Sequence, residues 1–251
     1  MSTLRMVCLA ALLAAPAAAL AQGHGDGHAG MDVDGPAHDM GPGIQVHGIL
    51  EQFEGRIGGG ANAFRWHGQA WIGTDYDKLW LKSEGFALGK GGVEDGRQEV
   101  LYSRAIGTWF DLQAGLRTDL DSGTGRSWAA LGVQGTLPQF IELEATAYAS
   151  DAGHFAARLA AAYDLRLTQR LVLQPEIDLN LYSKADPGRH IGPGLANLDA
   201  GIRLRYEIDR KFAPYIGVAY SARFGQTARY TRDEGDAATA VQFVFGIRSW
   251  F

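Results

Sequence analysis

Beyond residue 21 this chain has no cysteine. Cys8 is its only one, inside the first apolar stretch, too near the start and with the wrong neighbours for a lipoprotein anchor. Disulfides and thiolate metal sites are therefore excluded from the rest of the chain. Long hydrophobic runs are missing too. After residue 20 no segment approaches the roughly 20 apolar residues that a membrane-spanning helix needs. A barrel of strands escapes that test, because its hydrophobicity alternates instead of accumulating. Basic excess is also absent. With Arg5 set aside, 23 basic side chains become 22 against 28 acidic ones, a net charge of −6. Such a balance disfavours nucleic acid and suits the attraction of cations. No Gly-x-Ser-x-Gly elbow or phosphate loop occurs, so no covalent chemistry is expected. The Gly-rich stretches at 58–62 and 89–92 precede strands rather than helices and read as turns.

The N-terminus carries an export pattern. Arg5 supplies positive charge, Val7 to Leu20 is apolar but interrupted by Pro16, and Ala19-Leu20-Ala21 is a small-x-small cleavage site. The expected division is a signal peptide at 1–21, a His/Met-rich segment at 22–43 and a barrel at 44–251. Residues 22–43 have almost no large apolar side chain, so they bury too little to offset chain entropy and are expected to be disordered when free.

From Ile44 onward, period-two segments alternate with turn signals. They predict strands at 44–57, 63–74, 78–88, 98–106, 108–118, 126–136, 140–150, 154–167, 170–183, 195–208, 212–223 and 237–251. Twelve strands place both ends on one rim, expected to be the periplasmic one. Tight turns (75–77, Gly107, 137–139, 168–169, 209–211) alternate with longer connections at 58–62, 89–97, 119–125, 184–194 and 224–236, with 151–153 a short exception. That asymmetry favours an all-β, antiparallel twelve-stranded outer-membrane β-barrel over a soluble sandwich.

Facing supports this. In the last segment Val241, Phe243, Phe245, Ile247 and the terminal Phe251 share one face, with Gln242, Gly246 and Arg248 on the other. The polar faces of other strands supply Asp111, Asp199 and the lumen-lining candidates Glu142, Glu144, Glu176, Asp178, Arg203 and Arg205, read as paired charges in a narrow or plugged channel. Segments 44–57 and 78–88 have mixed faces. Trp66, Trp71, Trp80, Trp109, Trp128, Tyr148, Tyr163, Tyr206, Tyr220 and Trp250 are expected in interfacial girdles.

Histidine and methionine are unevenly spread. Residues 22–47 hold His24, His28, Met31, His38, Met40 and His47, whereas the rest of the chain after them holds only His67, His154 and His190. Thioether with imidazole suits Cu(I), and imidazole with Asp26, Asp32, Asp34 or Asp39 suits Cu(II). Zinc is disfavoured by the lack of thiolate. A copper ion is the expected ligand, with an incidental polar leader as the rival reading. His67 is expected to point into the lumen beside Arg65 and Gln69, with His47 on the adjoining strand. A relay through both competes with an ordinary hydrogen-bonded lumen histidine. His154 and His190 are read as surface residues.

Several stretches resemble one family. They are 49–56 (Ile-Leu-Glu-Gln-Phe-Glu-Gly-Arg), 60–75, 78–84 with its Trp-Leu-Lys-Ser-Glu, 99–104, and 174–182 with its Gln-Pro-Glu. Together they are similar to the copper resistance protein B family, from about residue 44 to Phe251. The resemblance implies an outer-membrane, copper-binding protein that supports copper tolerance, with the lipid bilayer around it and a periplasmic multicopper oxidase as partner. It also implies a metal-binding N-terminal segment, which carries over to His24, His28, Met31, His38 and Met40, although the segment here is short with two methionines. The expected action is sequestering or exporting excess periplasmic copper. A porin-like barrel with an incidental leader and an outer-membrane hydrolase are the alternatives.

Overall fold

The computed structural model describes residues 43–59, 62–89, 91–120, 125–209 and 211–251. The predicted signal peptide and most of the leader, with His24, His28, Met31, His38 and Met40, lie outside the described residues.

Twelve antiparallel staves follow one another around a closed cylinder. They are β1 (Gln45–Ile57), β2 (Ala63–Gly73), β3 (Asp77–Leu88), β4 (Val93–Ala105), β5 (Phe110–Asp119), β6 (Ser127–Thr136) and β7 (Ile141–Ser150). After them come β8 (Phe155–Tyr163, resuming as Leu165–Arg166), β9 (Leu171–Tyr182), β10 (Gly194–Tyr206), β11 (Phe212–Arg223) and β12 (Thr239–Trp250). Each pairs with its neighbours in sequence, and β12 returns to β1 in the register Phe53↔Ile247 and Ile57↔Phe243. The terminal residue helps seal that joint. Gly48 and Phe251 exchange two backbone hydrogen bonds of 2.9 Å. The Phe251 ring lies across Gly48, where a Cβ would meet it at 2.4 Å. Phe245 covers Gly55 in the same way. Closure leaves no sheet edge, as a barrel in hydrocarbon requires.

Alternation sets the two faces. Val241, Phe243 and Phe245 of β12, Leu112 and Leu116 of β5, and Ile202 of β10 are exposed on the outside. Inside, Glu54, Arg56, Arg203 and Arg205 are among the most buried side chains of the protein. The interior is thus charged and the exterior apolar, the arrangement of an outer-membrane barrel.

Four details differ from expectation. First, β4 begins at Val93, not 98. Its start pairs with Phe86 and Ala87 across an irregularity at Asp95 and Gly96, with Asp95 at φ +48°. The bulge interrupts alternation, so the segment resembled a loop. Second, the 224–236 connection holds a helix, α1 (Gly225–Asp233). It buries only Thr227, Ala228 and Thr231, too few apolar positions to give a helical period. It is held by tertiary bonds: the Gly192 N–H donates to Thr227 Oγ1 (2.8 Å) and Arg223 to Thr231 Oγ1 (3.2 Å). Third, β8 is interrupted at Asp164. Fourth, half of the expected aromatic girdle is inside. Trp71 and Trp80 line a lumen cavity and Trp250 lies against the lumen-facing His47. Trp128 and Tyr148 are buried, donating to Asp119 and Glu99 at 2.8 Å. Their polar atoms find partners among lumen charges, so these rings serve as filling. Trp109, Tyr206 and Tyr220 are exposed on the wall as expected.

Candidate functional site

The lumen is built from charges supplied by strands far apart in sequence, and it is closed across its middle. Arg158 of β8 bonds Asp178 (2.5 Å), Glu144 (2.9 Å) and Glu84 (3.2 Å). Arg97 joins Glu84 at 3.0 Å. Lys82 donates to Glu144 (2.9 Å), Gln134 (2.8 Å) and Gln113 (3.1 Å). Beside this group, Asp199 receives both Arg56 (2.7 and 3.0 Å) and Arg65 (2.5 Å), while Glu54 receives Arg203 twice (2.8 and 2.9 Å), Arg56 (2.9 Å) and the Tyr215 hydroxyl (2.9 Å). Phe86 fills the space between the Arg56 and Arg65 guanidinium groups, 4.9 and 5.0 Å away. Buried charges persist in this manner only when paired and hydrogen-bonded. The result is a septum.

A cavity lies on each side of it. The one toward the long loops, about 360 Å³, includes Glu94, Asp95, Asn197 and Arg223, with Thr231 of α1 at its border. The one toward the termini, about 340 Å³, includes His47, Glu51, His67, Trp71, Trp80 and Arg248. Glu84, Arg97, Glu144 and Arg158, which border one or other of these cavities, also enclose a small void of about 10 Å³.

The expected lumen residues meet here. His47 and His67 share the termini-side cavity with Glu142, Glu144, Glu176 and Asp178, and Glu142 is exposed at its mouth. Arg203 and Arg205 are buried, paired with Glu54 and Glu176 and with Asp164 and Glu207 respectively. The two histidines differ in their surroundings. His67 Nδ1 lies 3.2 Å from Glu51 and Nε2 lies 3.8 Å from Glu84. His47 has no hydrogen-bonding or ionic partner for its imidazole among the described residues. Its ring sits between Trp71 (6.0 Å) and Trp250 (5.8 Å), and Trp71 continues to Trp80 at 6.2 Å. Lys78 and Lys211 lie over Trp71 and Trp250 at 5.7 and 5.5 Å.

Glu51, which the sequence reading passed over as a site residue, reaches His67 because β1 bulges. Leu50 pairs with Gly68 and Gln52 with His67, so Glu51 is the extra residue. On the other side, residues 51 and 52 lie within one irregularity between Leu50↔Ser249 and Phe53↔Ile247. Glu51 and Gln52 therefore both face inward, which is why 44–57 has mixed faces. No group of three or more His, Cys, Asp or Glu among the described residues is arranged to hold a metal ion. The paired carboxylates already have their cations.

A family profile described as "Copper resistance protein B precursor" matches residues 44–251, the whole of the barrel. The chain belongs to the copper resistance protein B family. It is similar to copper resistance protein B of Escherichia coli, 42% identical over 203 residues, which are 81% of this chain and 68% of that protein. It is also similar to the copper resistance protein B homolog of Pseudomonas syringae pv. tomato, 40% identical over 208 residues, 83% of this chain and 70% of that one. Among solved structures, the NanC porin aligns with a TM-score of 0.52 over 82% of this chain and 99% of that chain, at 13% identity, a likeness of barrel architecture alone. Family membership gives the barrel a role in copper resistance and an outer-membrane setting. The unpaired His47 and the aromatic mouth are the parts of this lumen to weigh against that role.

Proposed function

We propose that the chain captures excess periplasmic copper with the His/Met segment after residue 21 and that the termini-side mouth of the barrel offers a further ligand, His47. In this reading residues 1–21 are removed on export and the termini rim faces the periplasm. His24, His28, Met31, His38 and Met40 are the primary ligands, with thioethers favouring Cu(I). His47 is the first ligand offered by the barrel, with the Trp71 and Trp250 rings on either side of it. His67, with Glu51 and Glu84 beside it, lines the cavity wall. A periplasmic multicopper oxidase is the proposed partner at this rim.

One observation carries the reading: the run of His and Met that starts at His24 ends at His47, whose imidazole the barrel leaves unpaired in the mouth. The septum supports holding over free diffusion, because an ion crossing the lumen would have to part Arg158 from Glu84, Glu144 and Asp178. Deleting residues 22–43 tests it. The expected result is loss of copper tolerance and of most copper bound by the purified protein. Unchanged tolerance with unchanged binding refutes it.

A further inference from the structure

The ladder between β8 and β9 is interrupted without a change of register. Between β8 and β9 the pairs run from Tyr182↔Ala156 to Glu176↔Ala162 and resume only at Leu173↔Leu165. Tyr163 and Asp164 thus have no register partner on β9, where Pro175 and Gln174 stand opposite them. Pro175 brings no N–H to the ladder, and proline is otherwise confined to edges and bulges of sheets. Ala161, set between Leu143 and Ile177 on the outer face, contributes little bulk.

The outcome is a groove of about 360 Å³ on the outside, lined by Ile141, Ala161, Tyr163, Pro175 and Ile177, with Gln139 at its end. That volume is within the roughly 300–1,000 Å³ of small-molecule sites, and like them it is mostly apolar. Ala161, Ala162, Glu176 and Ile177 line both this groove and the termini-side cavity, so a single thickness of backbone separates the two. Gln139 belongs to the turn between β6 and β7, on the rim that carries the termini.

We propose that this groove is a binding site for one acyl chain of a phospholipid. The groove is continuous with the apolar belt, whose surroundings are hydrocarbon. An apolar void there has no side chain to fill it and no affinity for water, and lipid tails are the matter at hand. The choice of phospholipid over lipid A rests on the periplasmic orientation proposed above, since the groove opens toward the termini rim. Occupancy braces the wall where the ladder is broken, beside the cavity that holds His67.

The full chain is reconstituted in phosphatidylethanolamine–phosphatidylglycerol vesicles in which the phosphatidylethanolamine carries a diazirine in one acyl chain. After illumination and digestion, adducts are expected to concentrate several-fold on peptides containing Ile141, Ala161–Tyr163 and Pro175–Ile177. The reference is the β4 and β5 peptides with exposed Val100 (50%) and Leu116 (67%). Ala161→Phe, which fills the groove, is expected to abolish that excess. Heat-modifiable migration on gels verifies that the variant has folded, and Ala161→Leu substitutes if it has not. Adducts spread evenly around the wall, or an excess that survives the substitution, overturn the site. An excess seen only with diazirine-labelled lipid A overturns the assignment to phospholipid. The copper reading is tested separately by deleting residues 22–43, which lie outside the groove, so either reading can fail while the other stands.

Discussion

The middle of the lumen and its termini-side mouth use the same polar residue types and hold them differently. In the septum each carboxylate meets a guanidinium or ammonium group, as Glu84, Glu144 and Asp178 meet Arg158. At the mouth, the His47 imidazole has no hydrogen-bonding or ionic partner among the described residues and lies beside the Trp71 and Trp250 rings, with Arg248 lining the same cavity. Burial explains the contrast. A charge removed from water needs an opposite charge and hydrogen bonds, whereas a neutral imidazole near an open rim needs neither. The septum is consequently poor at binding metal despite its many carboxylates. In the proposed reading a single nitrogen at the rim, that of His47, accepts one instead.

The sharpest test of this contrast removes the centre of the septum. Arg158→Ala leaves the buried Asp178 without its cation, while Glu84 keeps Arg97 and Glu144 keeps Lys82, and is expected to cost about 3–5 kcal/mol of stability, measured by denaturant unfolding in detergent. A loss below about 1 kcal/mol would mean that the septum is solvated like a surface, where ion pairs are worth that little. Copper capture should next show the mark of imidazole. Protonation competes with the metal, so binding held at neutral pH weakens as pH falls through about 6.5, by about tenfold per imidazole ligand for each unit below. Copper titration at pH 7.5 and 5.5 measures this, and equal affinity at both would remove histidine from the ligand set.

The histidine pair sharpens the comparison further. His67→Leu removes the imidazole beside Glu51, which keeps its hydrogen bond from Gln69, and is expected to lower stability by about 0.5–1.5 kcal/mol, with copper binding little changed. His47→Ala is expected to do the opposite, weakening copper binding severalfold while stability stays within about 0.5 kcal/mol. If the two substitutions have the same pair of effects, the division between a structural and a ligating histidine fails. Smallest of all, Met31→Leu with Met40→Leu should reduce Cu(I) binding more than Cu(II), and equal losses would refute the thioether argument.

Much of the barrel was legible because period two is local. In β5 the residues Leu112, Ala114 and Leu116 are exposed outside while Gln113 and Arg117 are buried inside, as their spacing requires. The same local logic failed wherever a residue was inserted. The bulge at Glu51 moved two consecutive side chains to one face, and the bulge at Asp95 disguised the first third of β4 as loop. It failed also for the aromatics. Trp71 and Trp128 near strand ends look like girdle residues, but their parity places them inside. The helix α1 was missed because its packing on Gly192 and Arg223 is tertiary, with almost no apolar stripe to announce it.

The sequence by itself determined which face of most strands meets lipid, how many strands there are, and that histidine and methionine crowd the stretch before the first strand. Each of these depends on neighbours a few residues apart. Only the tertiary structure decided which charges neutralise which, because closing the cylinder brings Arg56 to Asp199 and Glu54 to Arg203, partners separated by 143 and 149 residues. That closure also set Trp250 of β12 beside His47 of β1, whereas the acids beside His67 come from the adjoining β1 and β3, which pair with β2 in sequence order.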